Sequence, residues 1–160
     1  MKTGYAAPDS PVSGEFSDLR VAVVTTRWNI EIVDALADGA YRCLADWGVP
    51  DDAVEEFTAP GAYEIPLAVS KLMESGDFDG VIAVGAVIRG DTPHFDFVAG
   101  ECARGLMDVQ LRHGLPVGFG VLTVNTAQQA LERSGPGDDN KGYEAAAAML
   151  EMVRLARSVA

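Results

Sequence analysis

Apolar runs and polar breaks alternate along this chain in a regular order. Leu19–Thr25 (LRVAVVT) is apolar, β-branched and of strand length. After it Val33, Leu36, Ala37, Ala40 and Leu44 recur at helical spacing until the Gly48-Val49-Pro50 break. Ala53–Thr58 reads as a weaker strand ending in Pro60-Gly61, and Ile65–Met73 as a helix closed near Gly76. Gly80–Val87 (GVIAVGAV) is continuously apolar, the pattern of a central parallel strand buried on both faces. The next helix, Phe95–His113, carries Val98, Cys102, Leu106 and Val109 on one face. Pro116–Val124 is a further strand. A short helix from Thr126 to Arg133 follows, with Asn125 or Thr126 placed to cap it. Ser134–Asn140 (SGPGDDN) is a turn, and Ala145, Met149, Met152 and Ala156 form the apolar stripe expected of a last helix.

Strands alternating with helices predict an α/β fold, a three-layer α/β/α sandwich of flavodoxin-like form whose central parallel sheet has about four strands. In such folds ligands bind beyond the carboxyl ends of the strands, near a switch point. That rule selects four loops here, at 26–29, 60–64, 88–94 and 123–125.

Length and composition narrow the picture. With 160 residues, 48% of them hydrophobic, the chain suits one domain with one sizeable core. Residues 1–18 hold Gly4, Pro8, Pro11 and Gly14 but no apolar stretch, so they read as a flexible arm or edge strand rather than a secretory signal, and 19–160 as the domain. No apolar run nears the roughly 18–20 residues that a membrane-spanning helix needs. A cytoplasmic protein is expected. Cys43 and Cys102 have no partners at metal-ligand spacing and read as small buried hydrophobes, so no metal is expected. A net charge of −12 argues against nucleic acid, which requires a basic stripe. It also requires any anion site to be local, built from helix N-termini and a few placed cations.

The densest candidate chemistry is GAVIRGDTPHFD, residues 85–96, which leaves the central strand, turns at Gly90 and starts a helix near Pro93 with Thr92 as cap. Free N–H groups there form a phosphate cradle, and His94 stands within one turn of it, able to move protons near neutral pH. The same residues also describe an ordinary capped helix start, and Asp91 opposes a phosphate unless its side chain turns away. In PGAYEIP, residues 60–66, Glu64 sits where a carboxylate accepts bonds from sugar hydroxyls, or simply where a helix dipole favours it. In TTRWN, residues 25–29, Trp28 is placed to stack on a planar ligand or to fill an interface, and Asn29 to cap the following helix. Arg133 and Lys141 flank the 134–140 turn.

Taken in order, TTRWN, PGAYEIP, GAVIRGDTPHFDFV, PVGFGVLTVNT with QQALERSG, and NKGYEAA make a chain that resembles the lumazine synthase family from Leu19 to the last helix. GAVIRGDTPHFD is specific as a block; PGAYE alone is not. The resemblance implies condensation of 5-amino-6-(D-ribitylamino)uracil with 3,4-dihydroxy-2-butanone 4-phosphate, the penultimate step of riboflavin biosynthesis, with no metal or redox cofactor. It implies that Trp28 stacks on the pyrimidine with Asn29 beside it, and that Ala62, Tyr63 and Glu64 line the ring and the ribityl chain. Val87 and Ile88 then supply backbone contacts to the uracil edge. Gly90, Asp91 and Thr92 hold the phosphate, and His94 transfers protons. Sites in this family lie between subunits, so Phe119, Arg133 and Lys141 are expected from a neighbour, with Arg133 on the phosphate. The family forms pentamers, some of which close into a 60-mer icosahedral shell. The compact 134–140 turn favours the shell. The competing readings are another phosphosugar-handling enzyme on the same scaffold, and a flavin- or lumazine-binding or shell-forming relative without catalysis; His94 and Arg133 together speak against the latter.

Overall fold

The computed structural model describes residues 4–160; positions 1–3 of the expected arm lie outside the described residues. Strands β1 (Val21–Thr26), β2 (Val54–Ala59), β3 (Gly80–Ile88) and β4 (Val117–Val124) form one sheet in the order β2-β1-β3-β4. Every pairing is parallel. Between and after the strands lie α1 (Ile30–Asp46), α2 (Ile65–Glu74), α3 (His94–His113), α4 (Ala127–Glu132) and α5 (Lys141–Ser158). This is the α/β sandwich that the alternation of patterns predicts.

Strand alternation divides the core in two. Val21, Val23, Ile82, Val84, Ala86, Leu122 and Val124 face α1 and α5. Ala22, Val24, Val81, Ala83 and Val121 face α2 and α3. Since β1 and β3 are central, both of their faces are buried, which accounts for their unbroken apolar runs. Fully burying one of their valines or isoleucines contributes roughly 1.5–3 kcal/mol. β2 is an edge strand and reads weakly because much of it is exposed. Both cysteines are free and buried, and burial pushes the Cys43 thiol up to about 12 and that of Cys102 up to about 11.

Two local expectations change. The buried stripe of α5 runs through Gly142, Ala145, Ala146, Met149, Leu150 and Val153. Met152 and Ala156, placed on that stripe by the sequence pattern, are exposed. In this alanine-rich helix several registers satisfy the same periodicity, and packing against α1 and β4 selects the one that puts small residues nearest the sheet. Thr126, rather than Asn125, caps α4, in a reciprocal arrangement with Gln129. Among the described residues no helix is long and apolar enough to cross a membrane.

Ahead of β1, residues 13–18 form successive turns that are clamped to α5. Phe16 is fully buried and stacks on Trp47 with ring centroids 5.9 Å apart. Arg154 lies over both rings and donates to both oxygens of Glu15 at 2.7 and 3.1 Å, while Arg157 grips Asp18. The Arg154 guanidinium holds the Glu15 carboxyl below the usual carboxylate range. A carboxyl lowered in the folded state stabilises it above its unfolded pKa, and that contribution fades as pH falls through the folded value. Acid should therefore loosen this clamp before the sheet melts, with Trp47 emission as reporter in a Trp28→Phe background. Glu15→Gln should remove the acid-dependent step; an unchanged acid limb in that variant would contradict the clamp.

Candidate active site

Parallel pairing between β1 and β3 covers only Val21–Val24 against Gly80–Ala83. Beyond it β1 continues to Thr26 and β3 to Ile88, with β3 paired to β4 alone. The two strands part where the chain order reverses, since β2 lies to one side of β1 while β3 and β4 lie to the other. A crevice at the carboxyl ends of the strands is the consequence. It encloses about 520 Å³ and is lined mainly by apolar surface with a few polar groups.

Asn29 secures the mouth of this cleft. It has φ 54° and ψ 52°, the one non-glycine residue with positive φ among the described residues. It stands at the cap position of α1, yet its side chain makes no capping bond. Instead Nδ2 donates to the carbonyl of Ala86 at 3.2 Å, across the gap where β1 and β3 no longer pair. The capping role expected for this side chain is thus replaced by a tie between strand ends. Left-handed backbone turns the side chain away from the helix it precedes.

Trp28, directly before it, is 71% exposed at the cleft wall. Its indole edge lies close to Gly61, where an added Cβ would stand 3.3 Å from Cδ1, so the ring is braced without being buried. Residues 62–64 form a single 3-10 turn leading into α2, which brings Ala62, Tyr63 and Glu64 into the cleft lining. Val87 and Ile88 close the β3 side. His94 is the first residue of α3, and the Thr92 hydroxyl accepts from its N–H at 3.4 Å. Pro93 itself occupies the cap position, one residue later than the sequence places it.

The cleft therefore brings together Trp28, Asn29, Ala62, Tyr63, Glu64, Val87, Ile88 and His94. Gly90, Asp91 and Thr92 are exposed on the turn between β3 and α3, outside its lining. That turn is braced by Arg89, which donates to Asn125 Oδ1 at 3.0 Å, pairs with Asp96 at 3.3 Å and covers the Phe95 ring. The pattern reading missed Phe97, which is 67% exposed and lines the cleft. The available signal was an aromatic at i+3 from His94, on the same side of the first turn of α3.

Phe119, Arg133 and Lys141 gather elsewhere. They line a second hollow of about 190 Å³ along β4, the edge strand opposite β2, and Phe119 is 47% exposed there. Arg133 donates back to the Gln129 carbonyl at 3.0 Å, and Lys141 meets Glu144 at 2.8 Å. Within one chain these cations and His94 thus occupy different hollows.

Sheet order and cleft define a three-layer α/β protein with a crevice at its switch point, lined by an exposed indole, a carboxylate and an imidazole. The family model described as 6,7-dimethyl-8-ribityllumazine synthase matches residues 18–157. A protein of that name from Deinococcus deserti is 48% identical over 143 residues, covering 89% of this chain and 92% of the relative. Another of that name, from Helicobacter hepaticus, is 45% identical over 142 residues, covering 89% and 91%. The chain belongs to the 6,7-dimethyl-8-ribityllumazine synthase family.

The geometry of Asn29 has a measurable consequence. Left-handed backbone costs an ordinary residue roughly 1–2 kcal/mol, which glycine does not pay. Asn29→Gly should lose only the tie to Ala86, whereas Asn29→Ala should lose the tie and pay the backbone cost, for about 1–3 kcal/mol in all. Urea unfolding of the two variants decides it: an alanine variant as stable as the glycine one would rule out the backbone contribution.

Proposed function

We propose that this chain condenses 5-amino-6-(D-ribitylamino)uracil with 3,4-dihydroxy-2-butanone 4-phosphate to give 6,7-dimethyl-8-ribityllumazine. The observation that carries the proposal is the strand-end cleft joining Trp28, Glu64 and His94 in a chain of this family. Trp28 stacks on the pyrimidine, and Asn29 stands beside it. Ala62 and Tyr63 line the ring chiefly through backbone, and Glu64 accepts from the ribityl hydroxyls. The backbone of Val87 and Ile88 meets the uracil edge. Gly90, Asp91 and Thr92 take the phosphate through N–H groups and the Thr92 hydroxyl, which fits their exposed position beyond His94.

The chemistry suits such a site. The 5-amino nitrogen attacks the ketone carbon, and loss of water gives an imine. Proton removal next to the imine expels phosphate with its bonding electrons. Loss of phosphate leaves an enol, which tautomerises to a new ketone at the former carbinol carbon. The ribityl-bearing nitrogen attacks that carbonyl, and a second water leaves as the ring closes. His94 moves the protons, a contribution of about 10²–10⁴-fold. Holding the two substrates face to face supplies more, with effective molarities of ~10⁵–10⁸ M.

Phe119, Arg133 and Lys141 serve the cleft of a neighbouring subunit. Their separate hollow on the open β4 edge supports this, as do apolar side chains left exposed on α2 and α3, among them Leu67, Met107 and Leu111. The assembly is a pentamer, and the compact 134–140 turn favours closure of pentamers into a 60-mer shell. At −12 per chain the assembly must tolerate like-charge repulsion, which salt screens over about 8 Å at physiological strength. A phosphorylated substrate and two free buried thiols suit a cytoplasmic enzyme.

Mixing both substrates with purified protein should yield lumazine fluorescence, and no product would end the proposal. His94→Ala should slow turnover by about 10²-fold or more yet leave measurable catalysis, because positioning survives. Unaltered kinetics would remove His94 from the mechanism.

Assembly is checked by native mass or light scattering at moderate salt. A shell is the expected particle. A free pentamer would overturn closure, and an active monomer would overturn the shared site as well.

A further inference from the structure

Asn140 is 1% exposed, and its carboxamide uses both ends. Oδ1 accepts from the N–H groups of Gly142 and Tyr143 at 2.8 and 3.1 Å, which caps α5. Nδ2 donates to the carbonyl of Gly135 at 2.8 Å, across the 134–140 turn, and to that of Ala35 on α1 at 3.1 Å. Capping needs only the oxygen, so Asp or Ser would serve as well. The nitrogen does something capping does not require: it draws the two ends of the turn together and pins them to α1. At the far side of that closure the Lys141 N–H donates to the Arg133 carbonyl at 2.9 Å. Two cations on either side of a flexible-looking, glycine-rich turn thereby share one hollow with Phe119.

We propose that Asn140 is a positioning residue that sets Arg133 and Lys141 as a pair for the phosphorylated substrate. The role in substrate binding rests on the reaction proposed above; the placement of the pair does not. The fit around the carboxamide is close. A Cβ added at Gly39, on α1, would run into it, and one at Gly142 would run into the Leu36 carbonyl. α1 is also the helix that begins beside Trp28, so both hollows are referenced to the same rigid element. Without the nitrogen end of Asn140, the turn keeps its cap but loses its closure, and the two cations drift apart in a chain whose net charge of −12 gives a phosphate no other general attraction.

The test uses the full-length assembled protein and two independent variants. Asn140→Asp keeps the capping oxygen and removes the two N–H donors; Gly39→Ala displaces the carboxamide from the other side. Hydrogen exchange, read without substrate, should show the Lys141 amide exchanging about tenfold faster or more in each variant, the worth of one lost hydrogen bond, with β4 amides unchanged. In the lumazine assay, KM for the phosphorylated ketone should rise about tenfold, with kcat and KM for the uracil within about twofold. The effect should disappear in an Arg133→Ala, Lys141→Ala background, since it acts through those side chains. A Lys141 amide that stays slow in both variants would overturn the proposal. So would equal KM losses for both substrates, or a loss that persists in full without the two cations. If the unaltered protein makes no lumazine, the reaction assignment falls, whereas the exchange result still upholds or overturns the placement.

Discussion

Where β1 and β3 stop pairing, at Val24 and Ala83, the sheet gives up hydrogen bonds in its own centre. A parallel sheet that kept pairing to the ends of both strands would have no crevice and no exposed main chain to offer a ligand. Separation creates a cost as well as an opportunity, because strand-edge carbonyls left without partners are expensive. Asn29 answers part of that cost by donating to Ala86, and it does so from a left-handed backbone that few other residues accept readily. Trp28 is carried outward by the same turn. The ring that stands 71% exposed there is thus a product of how the strand end is closed.

From that opening the remaining arrangement follows by layers. α2 and α3 cover one face of the sheet and bring the 62–64 turn and His94 to the crevice. α1 and α5 cover the other face, and the turn before α5 places Arg133 and Lys141 beside the edge strand β4 instead. A strongly acidic chain gains from such separation. Its cations are few and are held by specific partners: Arg89 by Asn125 and Asp96, Arg133 by the Gln129 carbonyl, Arg154 by Glu15. Surface pairs of this kind add little stability. Their effect here is to fix direction, each guanidinium being held in one place by its partner.

Much of this was legible in the chain itself. Apolar runs at strand length, helical spacings and Gly/Pro breaks reproduced the order of elements, and the unbroken run in 80–87 identified the central strand because a strand buried on both faces cannot alternate. Family likeness in PGAYEIP and GAVIRGDTPHFD pointed to Ala62, Tyr63, Glu64, Val87, Ile88 and His94, which come to line one cleft, and to Gly90, Asp91 and Thr92, which lie outside its lining. The face of α5 was harder, since an alanine-rich helix has several stripes of similar hydrophobicity and only its neighbours choose between Met152 and Val153. Phe97 was passed over for a different reason: its one signal, the i+3 spacing from His94, is a single pair and not a repeating stripe.

Periodicity and turn chemistry are local, so the sequence by itself determined which segments become strands and helices, and in what order. Partners distant in the chain were decided only by the tertiary structure. Nothing near Asn29 announces a bond to Ala86, and nothing near Asn140 announces one to Ala35, 105 positions away. The same holds for the division of the polar groups into two hollows. That depends on β3 crossing to the far side of β1 and on β4 being left at the edge, a choice made by packing the whole sheet.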